Sequence, residues 1–481
     1  MVFNSIEFAI FLPIVFLLYW FVFNRSLKLQ NLFIVIVSYI FYGWWDWRYL
    51  CLIAFTSFCS WGSGLIIQNN RRNIKKAKAV SAVNIVLNLA ILGVFKYYNF
   101  FITSFANVFL GGKTDGLLLN IILPVGISFY TFQALSYSID VYRGKIEPTR
   151  DVVEFFAFVS FFPQLVAGPI ERATNLLPQF QRKRVFDYSQ ATDGCRQILW
   201  GLFKKMVVAD NCAVFVDEVF STYQAQTGSN LMLAAILFSF QIYGDFSGYS
   251  DIAIGTSKLF GIKLMRNFNV PYFSRDIAEF WRRWHISLTT WFRDYIYIPL
   301  GGSRCSKAKI VRNTFIIFLV SGLWHGANWT FLAWGGYHAV LFLPLILSGK
   351  NRKYIDVVAS GRFLPGIREV IRIFVTFMLV LFGWILFRSE SIGQAWEYVC
   401  RMWQWETLEA SFRLFSQAGV GRRTFYVFIM LLTEWVNREK EHGLKIPNNM
   451  PWYLRYVLYL VIAASIVFWS GTNQSFIYFQ F

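Results

Sequence analysis

Apolar runs long enough, or nearly long enough, to cross a lipid bilayer recur along the whole chain, and they restrict its fold more than any other feature. A helix rises about 1.5 Å per residue, so a hydrocarbon core of about 30 Å takes about 20 residues. Runs of this kind occupy about 8–22, 31–45, 50–67, 80–95 and 117–137, then about 198–220, 231–260, 315–347, 370–387, 425–432 and 454–470. Several are short or interrupted, which gives roughly ten to twelve spans. Composition agrees: 56% of the residues are hydrophobic and 15% charged, against roughly 25% charged in a soluble domain. The expectation is an all-α, polytopic integral membrane protein in contact with the lipid bilayer. The stretch Met1–Glu7 lacks the basic start of a secretory signal and no small-residue cleavage site follows, so the first helix is expected to be retained.

The formal net charge of +19 is spread through the inter-helix segments rather than gathered in one basic domain. That distribution argues against nucleic acid as a partner. Short Lys/Arg-rich loops face the cytoplasm, and if all of them do so here, both termini fall outside. Six cysteines show no paired spacing, so neither a disulfide framework nor a metal site is expected. No composition break divides the chain, which reads as a single domain over 1–481.

The one long polar interruption covers about 261–312 and carries ten basic residues against three acidic ones. Within it Phe280, Trp284, Leu288, Trp291 and Tyr295 recur at helical spacing, with Arg282 and Arg293 opposite. This pattern predicts an amphipathic helix at the cytoplasmic membrane surface. Its arginines, Arg282 and Arg283 among them, suit a phosphate-bearing donor; anchoring to lipid headgroups explains them equally well. Two prolines and a glycine in Pro163–Pro169 predict a re-entrant element. In Tyr243–Asp251, Asp245 and Asp251 stand with hydroxyls between apolar flanks, and they are expected to line an interior cavity because ionisable groups facing lipid are costly.

Four histidines are present. His442 follows a charged run and reads as a loop residue. His325 lies between apolar runs in Ser321-Gly-Leu-Trp-His-Gly-Ala-Asn-Trp329, and a histidine at membrane depth is a functional candidate by default. Gly326 would let the helix break, and Asn328 would orient the ring or the substrate. His338 is thirteen residues on, on the opposite face of an unbroken helix and about 20 Å away, so it joins His325 only if the chain bends. His285 is a candidate for lining a donor path or assisting catalysis. Glycine-rich phosphate loops, nucleophile elbows and metal-spaced histidine pairs are missing, which leaves a histidine base.

The segments Phe280–Leu288 and Gly322–Asn328 resemble motifs of the membrane-bound O-acyltransferase family, in particular its bacterial branch for alginate and peptidoglycan O-acetylation. Leu123–Tyr130, Ala167–Ile170, Asp245–Asp251, Ile296–Gly302 and the closing Phe476–Phe481 resemble that branch too. The resemblance implies helices and re-entrant segments enclosing a tunnel, with His325 as the essential histidine and His285 as a second motif histidine. It implies a cytoplasmic acyl donor, most simply acetyl-CoA with no bound cofactor, and an acceptor reached from the outer side. A periplasmic acetyltransferase is the expected partner and a polysaccharide the final acceptor, in a multi-pass protein of the bacterial inner membrane. His325 would act as general base, with Asn328 and Trp324 as donors to the developing oxyanion. The rivals are D-alanyl transfer to teichoic acid and a transporter built on broken helices.

Overall fold

A computed structural model of the chain describes residues 1–114, 116–166, 168–404, 419–447, 450–472 and 474–477. Ala167 of the Ala167–Ile170 motif and the last four residues of the closing motif lie outside the described residues. Among the described residues the structure is helical throughout, with no β-strand. Six of the described helices are long and apolar enough to cross a membrane, and shorter apolar helical stretches occupy Ile6–Val22 and Leu27–Gly43. The protein is a multi-pass membrane protein.

The chain packs as two compact units, Met1–Cys195 with Ala253–Met265 and Arg196–Ile252 with Arg266–Phe481. In the first, helices begin where short polar side chains accept the otherwise orphaned amides: Ser5 from Phe8, Ser26 from Leu29, Asn73 from Lys76 and Asp151 from Val153. The Leu50–Asn69 and Ile74–Leu92 helices turn Ile66, Val83 and Val86 outward and bury Ser60, Asn84 and Asn88. Apolar outside and polar inside is the pattern of helices that associate in lipid through small and hydrogen-bonding residues. The 117–137 run is only partly helical, because its helix starts at Ile127. Gly126 before it is left-handed (φ 74°), and its Cα lies so close to the Leu165 carbonyl that a Cβ would come within 2.5 Å. Only glycine meets both demands.

The Pro163–Pro169 segment forms one short helix, Phe162–Leu165, inside the first unit. Its neighbours are buried. The Phe162 amide donates to Ser38 Oγ at 3.1 Å, and the Gln164 amide donates to the Phe158 carbonyl at 2.9 Å. Irregular backbone persists here because protein groups, not lipid, satisfy it.

The 32-residue helix Gly228–Leu259, which belongs to the second unit as far as Ile252, carries Tyr243–Asp251 on unbroken backbone. Gly248 and Gly201 face each other so closely that a Cβ on either would come within 2.7 Å of the other's carbonyl oxygen. That approach sets Lys204 and Lys205 beside the aspartates. The 315–347 run is a hairpin, Lys307–His325 followed by Trp329–Leu347. A Cβ on Gly322 would overlap the Phe331 carbonyl, and one on Gly335 the Phe318 carbonyl. The Ile367–Arg388 helix completes the group: Tyr337 Oη donates to the Leu379 carbonyl at 2.8 Å, and the Phe331 and Phe387 rings meet at 4.8 Å. Gly322→Val is therefore expected to wedge the hairpin apart at a cost of at least about 1–3 kcal/mol, read as a lower unfolding temperature in detergent, whereas Gly336→Ala, whose Cβ would meet only the tip of Leu319 at 3.9 Å, should change little.

The amphipathic helix expected over 280–295 is not continuous. Ile277–Arg283 and Ile286–Phe292 are separate short helices, with Trp284 extended and His285 left-handed at φ 44° between them. The segment 267–269 produces the break. Asn269 N–H donates to the Arg283 carbonyl at 2.9 Å and Ile286 N–H to the Asn267 carbonyl at 2.8 Å. The apolar stripe is buried as its spacing predicts, but against protein: Trp284 meets Trp384 at 4.8 Å and Trp281 meets Phe318 at 5.4 Å.

Candidate active site

His325 is the last residue of its helix and is 2% exposed. Gly326 leaves the helix in extended conformation (φ −163°), which any residue adopts. Its missing side chain matters for space instead, because a Cβ would overlap the Phe331 ring. Asn328 starts the returning helix: its Oδ1 accepts from Thr330 N–H at 3.1 Å and its amide donates to the Glu390 carbonyl at 3.0 Å. These bonds fix the turn rather than the imidazole.

Around His325 stand Trp324 and Trp334, each with its ring centre 5.0 Å away, and Phe387 at 5.4 Å. The fourth neighbour is His285, at 6.3 Å. The break between the two short helices is what delivers it. Asn267 holds it there, its Oδ1 lying 3.1 Å from His285 Nδ1 while also accepting from Ser287 Oγ at 2.9 Å. That geometry puts the ring proton on Nδ1 and the lone pair on Nε2. His285 lies outside the membrane-spanning helices, and burial pushes its imidazole down to about 3, so it is neutral at ordinary pH. A bulky residue held in the left-handed region carries strain, of the kind that accumulates at functional sites.

The hairpin turn brings His338 back toward the same cluster. Trp334 lies between the two, 5.0 Å from His325 and 5.1 Å from His338. Neither nitrogen of His338 has a hydrogen-bond partner among the described residues. Trp281, at 5.0 Å, covers its other side.

Trp281 is also the inner wall of a cavity of about 450 Å³ whose lining includes Arg282, Arg293, Arg352, Thr289, Thr290, Ser303 and Ser321. The cavity runs along the Lys307–His325 helix, whose Thr314, Ile317, Phe318 and Ser321 line it, and Ser321 lies about one helical turn before His325. Arg282 donates to the carbonyls of Asn351 and Tyr354, which ties the 351–354 loop to the rim.

The region 148–388, which contains His285, His325, His338 and the arginine-lined cavity, matches the sequence model of the membrane-bound O-acyltransferase family. The chain belongs to that family. It is therefore an acyltransferase, and membership sets the transporter alternative aside. Among its relatives is the probable alginate O-acetylase AlgI of Pseudomonas putida, 37% identical over 504 residues and covering 100% of both chains. The peptidoglycan O-acetyltransferase of Helicobacter pylori is 34% identical over 413 residues, 80% of this chain and 76% of its own. The teichoic acid D-alanyltransferase of Bacillus subtilis is 30% identical over 288 residues, 56% of this chain and 70% of its own.

The other residues singled out in the sequence divide in this acyltransferase. Trp324 and Asn328 border His325, and Arg282 lines the cavity. Arg283 turns away: its guanidinium pairs with Glu279 at 2.8 Å, and Glu279 also holds Arg275 at 3.1 Å. Asp245 pairs with Lys205 at 2.8 Å and accepts the Ile477 amide at 2.7 Å. Asp251 pairs with Lys204 at 2.6 Å and accepts from Gln197 at 2.8 Å. These carboxylates neutralise buried lysines and anchor the chain near its end. Asn267 and Arg352 were not singled out by sequence reasoning. Arg352 had a signal, the basic stretch Lys350–Lys353; Asn267 had none, because its role depends on a contact 18 residues away.

Proposed function

We propose that the protein carries an acetyl group from acetyl-CoA, bound in the arginine-lined cavity on the cytoplasmic side, to a hydroxyl of an exported or cell-surface polysaccharide. The observation that carries this reading is the meeting of His285 and His325 in an aromatic core beside the cavity, whose lining includes Ile286 and Ser321. Arg293 and Arg352 would hold the donor phosphates. The acceptor hydroxyl attacks the thioester carbonyl while neutral His325 takes its proton, and the departing CoA thiolate receives that proton as the C–S bond breaks. His285 Nε2 faces the reaction as an acceptor that orients the hydroxyl. Trp324, beside His325 at 5.0 Å, is the indole that would donate to the developing oxyanion, and the dry aromatic surroundings strengthen any donor there. The protein would sit in the bacterial inner membrane, with an extracytoplasmic acetyltransferase as partner in finishing the polymer.

Arg352→Ala and Arg293→Ala tests the donor. A hydrogen bond to a charged group is worth about 1.5–3 kcal/mol, so the double variant should raise KM for acetyl-CoA by at least about tenfold with a smaller change in kcat. An unchanged KM would move the donor elsewhere. Transfer of D-alanine from a carrier protein, in the absence of any acetyl transfer, would replace the acetyl reading.

A further inference from the structure

We propose that Asn267 is a positioning residue whose side-chain amide locks His285 as a neutral acceptor, so that His285 orients the attacking hydroxyl and His325 alone takes its proton. The proposal rests on the acyl-transfer reading above.

The backbone decides which way the amide points. Ser287 N–H donates to Asn267 Oδ1 at 3.3 Å, and a backbone N–H can only donate, so the atom facing it is the amide oxygen and not the NH2 group. The same oxygen accepts from Ser287 Oγ at 2.9 Å and lies 3.1 Å from His285 Nδ1. An amide oxygen has no proton to give, so Nδ1 must be the donor. Ser287 Oγ stands 3.5 Å from that nitrogen; having given its proton to Asn267, it too can only accept there. At its other end the amide donates through Nδ2 to Ser250 Oγ at 3.1 Å. Ser250 belongs to the polar segment Tyr243–Asp251 and lies four residues after Phe246, on the same helix face. Phe246 packs edge-on against His285, with ring centres 4.6 Å apart. One face of the Gly228–Leu259 helix therefore supplies both the ring that covers the imidazole and the hydroxyl that holds its partner. Asn267, Ser287 and Ser250 are all buried.

The lock carries no charge. A carboxylate in the place of Asn267 would stabilise an imidazolium, whereas an amide does not. Phe246, Phe268 and Trp324 face His285 with uncharged rings, and His325 brings a titratable ring to 6.3 Å. His285 thus keeps one protonation state while the hydroxyl oxygen bonds the acetyl carbon, the C–S bond breaks and the proton passes through His325 to the CoA thiolate.

The test uses the full-length protein in detergent with acetyl-CoA and chitotetraose, and thermal unfolding to count folded protein. Asn267→Leu leaves the Nδ1 proton without its acceptor and disfavours the productive tautomer. It should lower kcat at least about fivefold, the least that an unpaired buried donor costs, with KM for acetyl-CoA unchanged. In a His285→Ala background the same substitution should cause no further loss, because a residue that acts only through His285 has nothing left to act on. An equal loss in both backgrounds overturns the proposal and makes Asn267 a packing residue. Asn267→Asp gives the second readout. Its carboxylate raises the His285 imidazole from about 3, and protonation turns Nε2 from acceptor to donor as the pH falls. The acid limb of kcat/KM should then steepen from one proton to two; a limb of unchanged slope overturns the neutral-acceptor assignment. Absence of acetyl-CoA turnover by the unsubstituted protein at every pH overturns instead the acyl-transfer reading, and this proposal with it.

Discussion

Lys205→Met is expected to cost about 3–5 kcal/mol of stability, the usual penalty for removing one partner of a buried ion pair. Lys205 is 1% exposed. Its ammonium lies 2.8 Å from both Asp210 and Asp245 and donates to the Gln474 carbonyl at 3.0 Å. Methionine keeps the volume of the stem but leaves two buried carboxylates facing each other without a cation. Thermal unfolding in detergent reads the effect as a lower transition temperature. A variant that also carries Asp210→Leu and Asp245→Leu should recover part of the loss, since an apolar replacement removes the unpaired charges. It should not recover all of it, because the Ile477 amide loses its acceptor. Unfolding of Lys205→Met at the temperature of the unsubstituted protein would mean that the aspartates are not charged in the folded state.

His325→Ala is expected to lower kcat for acetyl transfer by about 10²- to 10⁴-fold, the range that general-base catalysis supplies. KM for acetyl-CoA should move little, because the donor phosphates are held by Arg293 and Arg352 rather than by the imidazole. The comparison that gives this result meaning is His338→Gln. His338 is equally buried but separated from His325 by the Trp334 ring, so its replacement should act on packing and leave the base in place. Steady-state kinetics on both variants, normalised to folded protein, separates the two. An equal loss in both would reassign the effect to the aromatic cluster as a whole.

The helical, membrane-spanning character was legible in the sequence because hydrocarbon leaves backbone few alternatives to helix. His325 stood out as a candidate for a related reason, as a polar ring between apolar runs. Its meeting with His285 was not. The two are forty residues apart, and the meeting depends on a left-handed His285 stabilised by Asn267, a contact that periodicity does not encode. The 280–295 stripe shows the same limit: the spacing correctly marked which residues are buried, while the break at Trp284–His285 comes from hydrogen bonds made by 267–269. Arg282 and Arg283 are indistinguishable as neighbours in a basic run, yet one faces the cavity and the other Glu279. Asp245 does line a small pocket together with Lys205 and Asp210, but the lysines that pair with Asp245 and Asp251, forty or more positions earlier on another helix, were invisible to local pattern.

The claim at the centre of this account is that donor and acceptor reach His325 from opposite membrane faces. Reconstituting the protein into sealed vesicles tests it, with chitotetraose trapped inside and radiolabelled acetyl-CoA added only outside, alongside vesicles containing His325→Ala. The account predicts label on the trapped sugar for the unsubstituted protein and none for the variant; label that appears only when sugar and acetyl-CoA share the same compartment would contradict it.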